Sequence, residues 1–359
     1  MRVTFVLPAP IRVPVGGAAV VYRHAAGLVA RGHSVTVVVP RQTARGLAAL
    51  ARRWAVPVRD RLHGVAGATA YCADGVATVE VARIEAASLP EAEAVIATGF
   101  QTVASVLKLP RTSGAKVHFV QGDETFIDPD ARAAWRLPLA RIACAPWLAD
   151  AIREVGGTCL GVVPNAADVG FFECDAASDR EPRVLALYHR HPVKGPDRLV
   201  EVLGHIRASR PDAALDVFCA RPPSHRFPPG VRVHIRPSPA DLRALYAAAA
   251  VFLHTSRSEG WPLTPLEAAA SGCAVVATRN RGIEDVLRCG ATMACPPSDD
   301  ARLLALEALN VLGRPDERRR LGVAAQTRAA QFDWDDLTDR FESLLEEAVA
   351  DAPLVGTPG

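Results

Sequence analysis

Residues 1–39 read MRVTFVLPAPIRVPVGGAAVVYRHAAGLVARGHSVTVVV and contain the pattern that decides the fold. A β-rich run at 2–7 precedes a loop with three prolines. Residues 18–31 place apolar side chains on one helical face, and residues 34–39 form an almost wholly apolar run. Such a run is typical of a strand that is buried on both faces. The stretch therefore predicts a parallel strand–helix–strand unit with a right-handed crossover.

Strand and helix patterns continue to alternate along the rest of the chain. Further strands are predicted at 94–97, 116–120, 160–165, 183–187, 215–219, 231–235, 251–254 and 274–278. Further helices are predicted at 196–209, 239–249, 265–271, 301–312 and 335–350. The polar segment 174–182 lacks aromatic residues and predicts a linker. The pattern predicts an α/β protein with two doubly wound, Rossmann-like domains, at 1–170 and 183–333, that face a deep cleft.

The composition limits the class of protein. A chain of 359 residues is long enough for two domains, and 49% hydrophobic residues exclude general disorder. The formal net charge of +2 argues against a general nucleic-acid-binding protein. The apolar N-terminus is interrupted by Pro8 and Pro10, so it is too short for a secretory core. No apolar stretch reaches the roughly 18 residues of a membrane span, and we expect a cytoplasmic protein.

The eight cysteines are scattered and form no Cys-x-x-Cys motif. Several stand in apolar runs, as Cys273 does beside Ala274 and Val275. Buried thiols in a reducing compartment are typical of this pattern. We therefore expect free cysteines rather than disulfides.

The segment 41–62 is locally basic, with six arginines against one aspartate. Its apolar side chains share one helical face. This pattern is compatible with weak peripheral contact with a membrane surface. The alternative, which we favour, is an ordinary surface helix in solvent.

The segment most informative about chemistry is 256–272, which reads SRSEGWPLTPLEAAASG. It follows a predicted strand, so it lies where ligands of such a sheet bind. Thr264 fits a helix N-cap, Pro265 the first helical position, and Glu267 the third residue after the cap, which predicts a capping box. The free amides of a helix start can bind a diphosphate. In the alternative interpretation Glu267 only caps the helix and Glu259 is an exposed loop carboxylate.

A second cluster follows the first predicted strand of the second domain. It contains Arg190 and Lys194. Cleavage of a glycosidic bond to a nucleotide diphosphate leaves extra negative charge on the leaving group. One opposite charge at about 4 Å is worth about 4 kcal/mol at an effective dielectric near 20, so fixed cations can stabilise departure without a metal. The alternative interpretation is a solvated basic loop.

Glycines stand at two predicted loop–helix junctions, namely Gly16 and Gly17 before the first helix and Gly260 before the later one. They allow close approach of a phosphate or a ligand backbone, although a flexible turn is the simpler alternative. The Gly-x-Gly-x-x-Gly fingerprint is absent, which argues against a dehydrogenase. Because no Asp-x-Asp follows a strand, we expect no metal.

Together these residues resemble the retaining glycosyltransferases of family 4, the glycosyl transferases group 1, which have the GT-B fold. The resemblance covers nearly the whole chain. Its motifs are the pair Gly16-Gly17, Gly32-His33-x-Val35, the run 163–168, Arg190-x-x-x-Lys194-Gly195, the pair Glu259 and Glu267 separated by seven residues, and Phe332-x-Trp334. The double-glutamate segment is the most specific of them.

The resemblance implies an enzyme that moves a sugar from a nucleotide-diphosphate donor to a hydroxyl acceptor, with net retention and without metal or other cofactor. Arg190 and Lys194 would hold the diphosphate, and Glu259 would lie near the donor sugar. Glu267 would bind the ribose hydroxyls. The leaving phosphate would help to deprotonate the acceptor, so no protein nucleophile is required.

The remaining donor contacts are expected from the backbone. The amides of Leu263 and Thr264 would meet phosphate or sugar. The base is expected beside Arg236 and Leu242. The sequence leaves the donor base and the donor sugar open.

The first domain is expected to hold the acceptor, with the helix 335–351 packing back on it. Gln121, Asp123 and Glu124 are the predicted acceptor-side residues. Gln121 stands where many family members have a histidine, and Arg281 replaces a usual glycine, so contacts near the sugar are expected to differ. The acceptor stays open among a polysaccharide, a lipid-linked sugar and a natural product.

Two other functions use the same fold. A sugar-nucleotide epimerase would need a positioned acid–base pair, and none stands at clear spacing. A non-catalytic two-domain protein that binds sugar nucleotides would close on its ligand by a hinge motion.

Overall fold

The computed structural model of the protein describes residues 1–10, 16–41, 75–176 and 178–352. The basic segment 41–62 lies outside the described residues except for Arg41. The chain divides into two compact units. The first comprises Met1–Val163 and the C-terminal segment from Asp335, and the second comprises Pro164–Trp334.

The described part of the first unit contains a parallel sheet of seven strands in the order β3-β2-β1-β4-β5-β6-β7. The strands are β1 (Arg2–Val6), β2 (Ser34–Pro40), β3 (Ala77–Val81), β4 (Ala94–Ala97), β5 (Ala115–Val120), β6 (Ala140–Ala143) and β7 (Gly161–Val162). The helices are α1 (Gly16–Ala30), α2 (Phe100–Leu107) and α3 (Pro146–Glu154). The central strands β1 and β4 are almost fully buried, as their apolar sequences require.

The second unit contains a parallel sheet in the order β10-β9-β8-β11-β12. Its strands are β8 (Arg183–Leu187), β9 (Ala214–Cys219), β10 (Val231–Ile235), β11 (Val251–His254) and β12 (Ala274–Ala277). Its helices are α4 (Val169–Phe172), α5 (Pro196–Ser209), α6 (Pro239–Ala248), α7 (Leu263–Ala270), α8 (Arg281–Val286), α9 (Ala301–Gly313) and α10 (Pro315–Ala329). Aliphatic side chains of β8, β9, β11, α5 and α9 form a buried core on one face of the sheet.

The final helix, α11 (Trp334–Ala350), packs on the first sheet. Its Phe341 is fully buried, with its ring centroid 6.0 Å from that of Phe5 and 5.1 Å from that of Phe119. The same ring stacks on buried His24 at 4.6 Å. The Nε atom of Arg31 donates to Asp339 at 2.6 Å. An aromatic cluster, with an ion pair at its edge, therefore holds α11 against the rest of the first unit.

The predicted linker at 174–182 is wrong, because this segment packs inside the second unit. The Nη1 atom of Arg180 donates to the carbonyl of Ala249 at 2.7 Å, and Gln326 donates to the carbonyl of Cys174 at 2.7 Å. This polar segment thus both donates and accepts hydrogen bonds within the second unit. The division between the units falls earlier, after Val163.

The expectation of free cysteines holds only in part. Cys289 and Cys295 form a disulfide across a short loop after α8, with their Cα atoms 5.7 Å apart. A backbone bridge between Cys289 and Met293 folds this loop back on itself and brings the two thiols together. The other cysteines among the described residues are free, namely Cys144, Cys159, Cys174, Cys219 and Cys273, and Cys72 lies outside the described residues.

Each sheet has one point at which the winding direction reverses. In the first unit the chain runs from β1 outward through β2 to β3, and then restarts at β4 on the other side of β1. In the second unit it runs from β8 through β9 to β10, and then restarts at β11. Ligands of doubly wound sheets bind beyond the carboxyl ends of the strands at such points. We call the ends of β1 and β4 the first switch point, and the ends of β8 and β11 the second switch point.

Candidate active site

Two loops meet closely at the second switch point. A Cβ atom added to Gly195 would lie 2.3 Å from the carbonyl oxygen of Thr255, and Gly195 has a φ of 63°. Only glycine fits this position. The Thr255 hydroxyl donates to the carbonyl of Lys194 at 3.1 Å, and the Arg257 amide donates to the carbonyl of Val193 at 2.7 Å. The loop after β8 is therefore joined to the loop after β11.

These loops bring two predicted site residues, Lys194 and Glu259, into direct contact. The Nζ atom of Lys194 lies 2.7 Å from both carboxylate oxygens of Glu259. The Glu259 side chain is 9% exposed and that of Lys194 is 29% exposed. Burial alone would raise the pKa of Glu259, but the charge and hydrogen bond of Lys194, together with contributions from His254 and Ser256, lower it overall. The carboxylate is therefore ionised, and it is matched by a partly accessible ammonium group.

A third group at this site, His254, was missed by sequence reasoning. His254 ends β11 and is 4% exposed, and its Nε2 atom lies 3.6 Å from Oε1 of Glu259. Burial lowers the pKa of His254 to about 4, with a smaller downward contribution from Lys194. The imidazole is therefore neutral at physiological pH. A histidine in the apolar run just before the double-glutamate segment is the signal that could have found it.

Arg190 lies on the same loop as Lys194 but is differently engaged. Its guanidinium group is exposed and donates through Nε to the carbonyl of Pro222 at 2.8 Å, with a second contact from Nη2. The structure thus brings Lys194 and Glu259 together and directs Arg190 to a neighbouring loop.

The predicted capping box at Thr264 is wrong. Helix α7 begins at Leu263, with Pro262 in the N-cap position and no side-chain cap. Pro262 adopts an extended conformation, and the helix begins two residues earlier than expected. The amides of Leu263 and Thr264 lie in the first turn, where amides have no partner within the helix. Because Pro265 also lies in this turn, its missing N–H breaks no helical hydrogen bond.

Glu267 points away from the helix start and into the unit. It accepts a hydrogen bond from the hydroxyl of Tyr246 at 2.8 Å. Burial raises the pKa of Glu267, and the hydrogen bond from Tyr246 offsets this only in part. Tyr246 is fully buried and was also missed by sequence reasoning. The two glutamates of the segment therefore have opposite electrostatic environments.

Helix α8 supports the loop that carries Glu259 and Gly260. A Cβ atom added to Gly282 would lie 2.2 Å from the carbonyl oxygen of Glu259 and 2.9 Å from that of Gly260. The Asn280 side chain caps α8 at the Ile283 amide, and it also donates to the carbonyl of Ser256 at 3.1 Å. A larger residue at position 282 would clash with these carbonyl oxygens, which explains the glycine next to Arg281.

The predicted base-binding residues lie at the end of β10. Arg236 has a φ of 50°, and its amide donates to the carbonyl of Cys219 at 2.8 Å. It lines a cavity of about 550 Å³ between β10 and α6, which Arg183 and His234 also line. Leu242 is half-buried on α6 and is not among the lining residues.

The first switch point carries the other predicted residues. Gly16 and Gly17 begin α1, and a Cβ atom added to Gly17 would lie 3.3 Å from Oε1 of Gln121. This Oε1 atom is buried and has no hydrogen-bond partner among the described residues. Glu124 accepts from the amide of Phe100 at 2.8 Å, and burial raises its pKa.

Asp123 is already neutralised by a neighbouring cation. Its Oδ2 atom lies 2.6 Å from Nη2 of Arg132. Burial alone would raise the pKa of Asp123, but the hydrogen bond and charge of Arg132, with contributions from Thr125, lower it overall. This ion pair braces the loop that carries Asp123.

The second unit contains a segment that matches a known protein family. Residues 182–314 match the family model described as glycosyl transferases group 1. This range contains Lys194, Glu259 and Glu267. Most of the second unit therefore matches this family. The predicted family is therefore confirmed by the unit that contains the second switch point.

Individual glycosyltransferases resemble this chain over different lengths. D-inositol 3-phosphate glycosyltransferase from Segniliparus rotundus is 26% identical over 202 residues, which are 50% of this chain and 45% of the relative. The chain spans about half the length of the curated relatives it matches. Sucrose-phosphate synthase from Thermosynechococcus elongatus has a TM-score of 0.72 at 15% identity, covering 97% of this chain and 99% of that one. Anabaena HepE, solved in complex with UDP-glucose, has a TM-score of 0.70 at 16% identity, covering 97% and 100%. These similarities confirm the predicted GT-B fold.

Neither a metal-binding cluster nor a membrane-spanning helix is found among the described residues. Among residues 1–10, 16–41, 75–176 and 178–352, no group of three or more His, Cys, Asp or Glu side chains is placed to hold a metal ion. Within the same ranges, none of the helices has both the length and the apolar character needed to cross a bilayer. The cytoplasmic location and the independence from metal stay predictions.

Proposed function

We propose that the chain is a glycosyltransferase that moves a sugar from a nucleotide-diphosphate donor, held by the second unit, to a hydroxyl acceptor. The observation that carries this proposal is the Lys194–Glu259 pair at the second switch point, beside the start of α7. The match of residues 182–314 to the group 1 glycosyltransferases supports it.

The diphosphate is proposed to lie between Lys194 and the first-turn amides of Leu263 and Thr264. An ammonium group at about 4 Å from a phosphate oxygen is worth about 4 kcal/mol at an effective dielectric near 20. The helix start adds a partial positive charge and free N–H donors. These groups stabilise the charge that develops on the leaving diphosphate, so the reaction is proposed to need no metal. Arg190 is proposed to join them by releasing the Pro222 carbonyl.

The remaining donor contacts follow from the same placement. Glu267 is proposed to accept from the ribose hydroxyls through the carboxylate that Tyr246 orients. Glu259 and Gly260 are proposed to contact the donor sugar, and Arg236 with Leu242 the base. We further propose net retention by attack on the face that the diphosphate leaves, with a phosphate oxygen accepting the acceptor's proton. This route requires no protein nucleophile.

The acceptor is proposed to contact the first switch point, where Gln121, Asp123 and Glu124 lie, whereas Gly16 and Gly17 are proposed to let the donor approach closely. Gln121 has a buried acceptor oxygen, and Glu124 is a partly buried carboxylate that a hydroxyl can reach as a donor. Several curated relatives are named for D-inositol 3-phosphate. That compound is therefore the first acceptor to test.

A binding panel and a transfer assay test the proposal together. The full chain is titrated with UDP, GDP, dTDP and ADP, and the expected result is clear stabilisation by one of them, about 2.7 kcal/mol at 100 times its dissociation constant. The matching sugar nucleotides are then incubated with and without D-inositol 3-phosphate, and the products are analysed by mass spectrometry. Binding of none of the four would overturn the proposal. Conversion of the donor alone into an isomer would indicate an epimerase.

Metal independence has its own test. Transfer in excess EDTA is expected to equal transfer without it, because Lys194 and the α7 amides supply the positive charge. The control is the same assay with added Mg²⁺ after EDTA. Complete loss of transfer that Mg²⁺ restores would contradict this electrostatic account.

A further inference from the structure

The buried Glu259 carboxylate has a second neighbour besides Lys194. The Nε2 atom of His254 lies 3.6 Å from Oε1 of Glu259, which is too long for a hydrogen bond. This Nε2 atom is buried and has no hydrogen-bond partner among the described residues. Buried polar atoms in native proteins are nearly always paired. An orphaned nitrogen that faces a carboxylate therefore needs an explanation.

Donor binding would change the partner of Glu259. Both carboxylate oxygens of Glu259 lie 2.7 Å from the Nζ atom of Lys194, and the Ser256 side chain also hydrogen-bonds to this carboxylate. The proposed function requires the same ammonium group to bind a diphosphate. An ammonium group has three N–H donors, so any that turn to the diphosphate are no longer available to Glu259. The buried carboxylate would then keep the neutral Ser256 hydroxyl but lose part of its pairing to a cation, which is unfavourable unless another donor replaces it.

We propose that His254 is a positioning residue that takes over the Glu259 carboxylate when a donor diphosphate engages Lys194. This inference rests on the proposed function. The neutral imidazole donates its Nε2–H to Oε1 of Glu259, and this contact shortens from 3.6 Å to hydrogen-bond length. No covalent bond changes and no proton leaves the imidazole.

The position of His254 favours this exchange. It ends β11, where its backbone is held by pairing with Ala277 of β12. Glu259 needs to move by less than about 1 Å to reach a normal hydrogen-bond distance. The carboxylate can then turn toward the donor sugar while it keeps one bond inside the unit. Donor binding thus exchanges the partner of Glu259 instead of exposing an unpaired charge.

Two variants of equal length separate hydrogen bonding from packing. His254→Gln keeps an N–H donor at nearly the same reach, whereas His254→Met has no donor. Isothermal titration calorimetry with UDP, GDP, dTDP and ADP measures the affinity of wild type and both variants. We expect His254→Met to bind the preferred diphosphate about tenfold more weakly than His254→Gln, the effect of one hydrogen bond to a charged group.

A double-mutant cycle assigns the effect to Glu259. In a Glu259→Gln background, where the buried charge is gone, the difference between the Gln and Met variants of His254 is expected to shrink to less than about twofold. If wild type binds a diphosphate and the two His254 variants bind it equally, the exchange of partners is overturned. Should either variant fail to fold, a diphosphate-bound crystal of wild type decides, because an unchanged 3.6 Å separation with Glu259 still on Lys194 overturns it too. Failure of wild type to bind any of the four nucleotides would instead overturn the proposed function.

Discussion

The two switch points of this molecule are built differently. At the second, the carboxylates already have close partners, since Glu259 lies 2.7 Å from the partly exposed Lys194 and Glu267 accepts from the buried Tyr246 at 2.8 Å. At the first, Gln121 has a buried oxygen without a partner among the described residues, and Phe126 and Ile127 are exposed nearby.

The difference indicates separate tasks. A fixed cation and helix amides at the second switch point suit a ligand whose charge is constant, such as a diphosphate, because positive charge is already nearby when negative charge develops. At the first, Asp123 and Glu124 have partners but the Gln121 oxygen has none among the described residues, which suits an acceptor that varies among related enzymes. The family match supports this division, since residues 182–314 contain the second switch point and not the first.

The largest expected effect comes from removing the central cation. Lys194→Ala should lower kcat/KM for transfer by about 1,000-fold, which is about 4 kcal/mol and equals one ammonium–phosphate interaction at an effective dielectric near 20. Lys108→Ala, an exposed lysine of the first unit, is the matched control and should change kcat/KM by less than about twofold. Similar losses of kcat/KM in Lys194→Ala and Lys108→Ala would show that Lys194 has no special role at the second switch point.

Next in size is the loss of the close contact under the Glu259 loop. Gly282→Ala should cost about 3 kcal/mol of unfolding free energy, because the new methyl group would lie 2.2 Å from a backbone carbonyl oxygen. Urea unfolding measures this. Gly313→Ala is the control, since a Cβ atom there meets nothing within 4 Å. An equal effect of both substitutions would show that α8 does not support the loop.

The hydrogen bonds of Tyr246 in the second unit and Tyr22 in the first unit should differ in their contribution to stability. Tyr246→Phe should cost about 2 kcal/mol, because it leaves the buried Glu267 carboxylate without this donor. Tyr22→Phe in the first unit removes a neutral contact to Thr78 at 3.1 Å and should cost about 1 kcal/mol or less. Thermal or urea unfolding of both variants decides, and a larger loss for Tyr22→Phe would reverse the expected order.

The smallest effects concern pH. The pKa of Glu259 lies below its ordinary value of 4.5, because Lys194 and the other neighbours of the carboxylate together outweigh burial. Its ion pair therefore stabilises the fold above pH 4.5. This contribution is lost as the pH falls through the folded pKa. The pKa of Glu267 is raised by burial, so its charge destabilises the fold as the pH rises from 4.5 through its folded pKa.

Opposite pH signatures therefore follow for the two charge-removing variants. Glu259→Gln should lose more stability at about pH 7 than at about pH 4, whereas Glu267→Gln should fare better, relative to wild type, at about pH 7. Urea unfolding at both pH values measures the two differences. The same sign for both variants would mean that the two glutamates do not occupy contrasting environments.

Much of the fold could be predicted because buried parallel strands have continuous apolar sequences. The predicted strands at 2–7, 34–39, 251–254 and 274–278 all appear within a residue or two of their limits. Helix α10 was missed because its sequence is polar, with few apolar positions in helical register. Strand β3 was missed because four of its five residues are exposed, which leaves no apolar run.

The site could be predicted only as a set of residue types. Lys194 and Glu259 follow adjacent strand ends, so their meeting was foreseeable from topology. The donation from Tyr246 to Glu267 and the burial of His254 beneath Glu259 depend on tertiary packing, which no local pattern reports. The helix start at Leu263 differed from prediction because the conformation of Pro262 decided it, not the capping preference of Thr264.

A crystal structure of the full chain with its preferred nucleoside diphosphate tests the central claim most directly. The account predicts phosphate oxygens within about 3 Å of the Lys194 Nζ atom and of the first-turn amides of α7. A diphosphate bound in any other part of the molecule, with Lys194 still paired to Glu259, would contradict it.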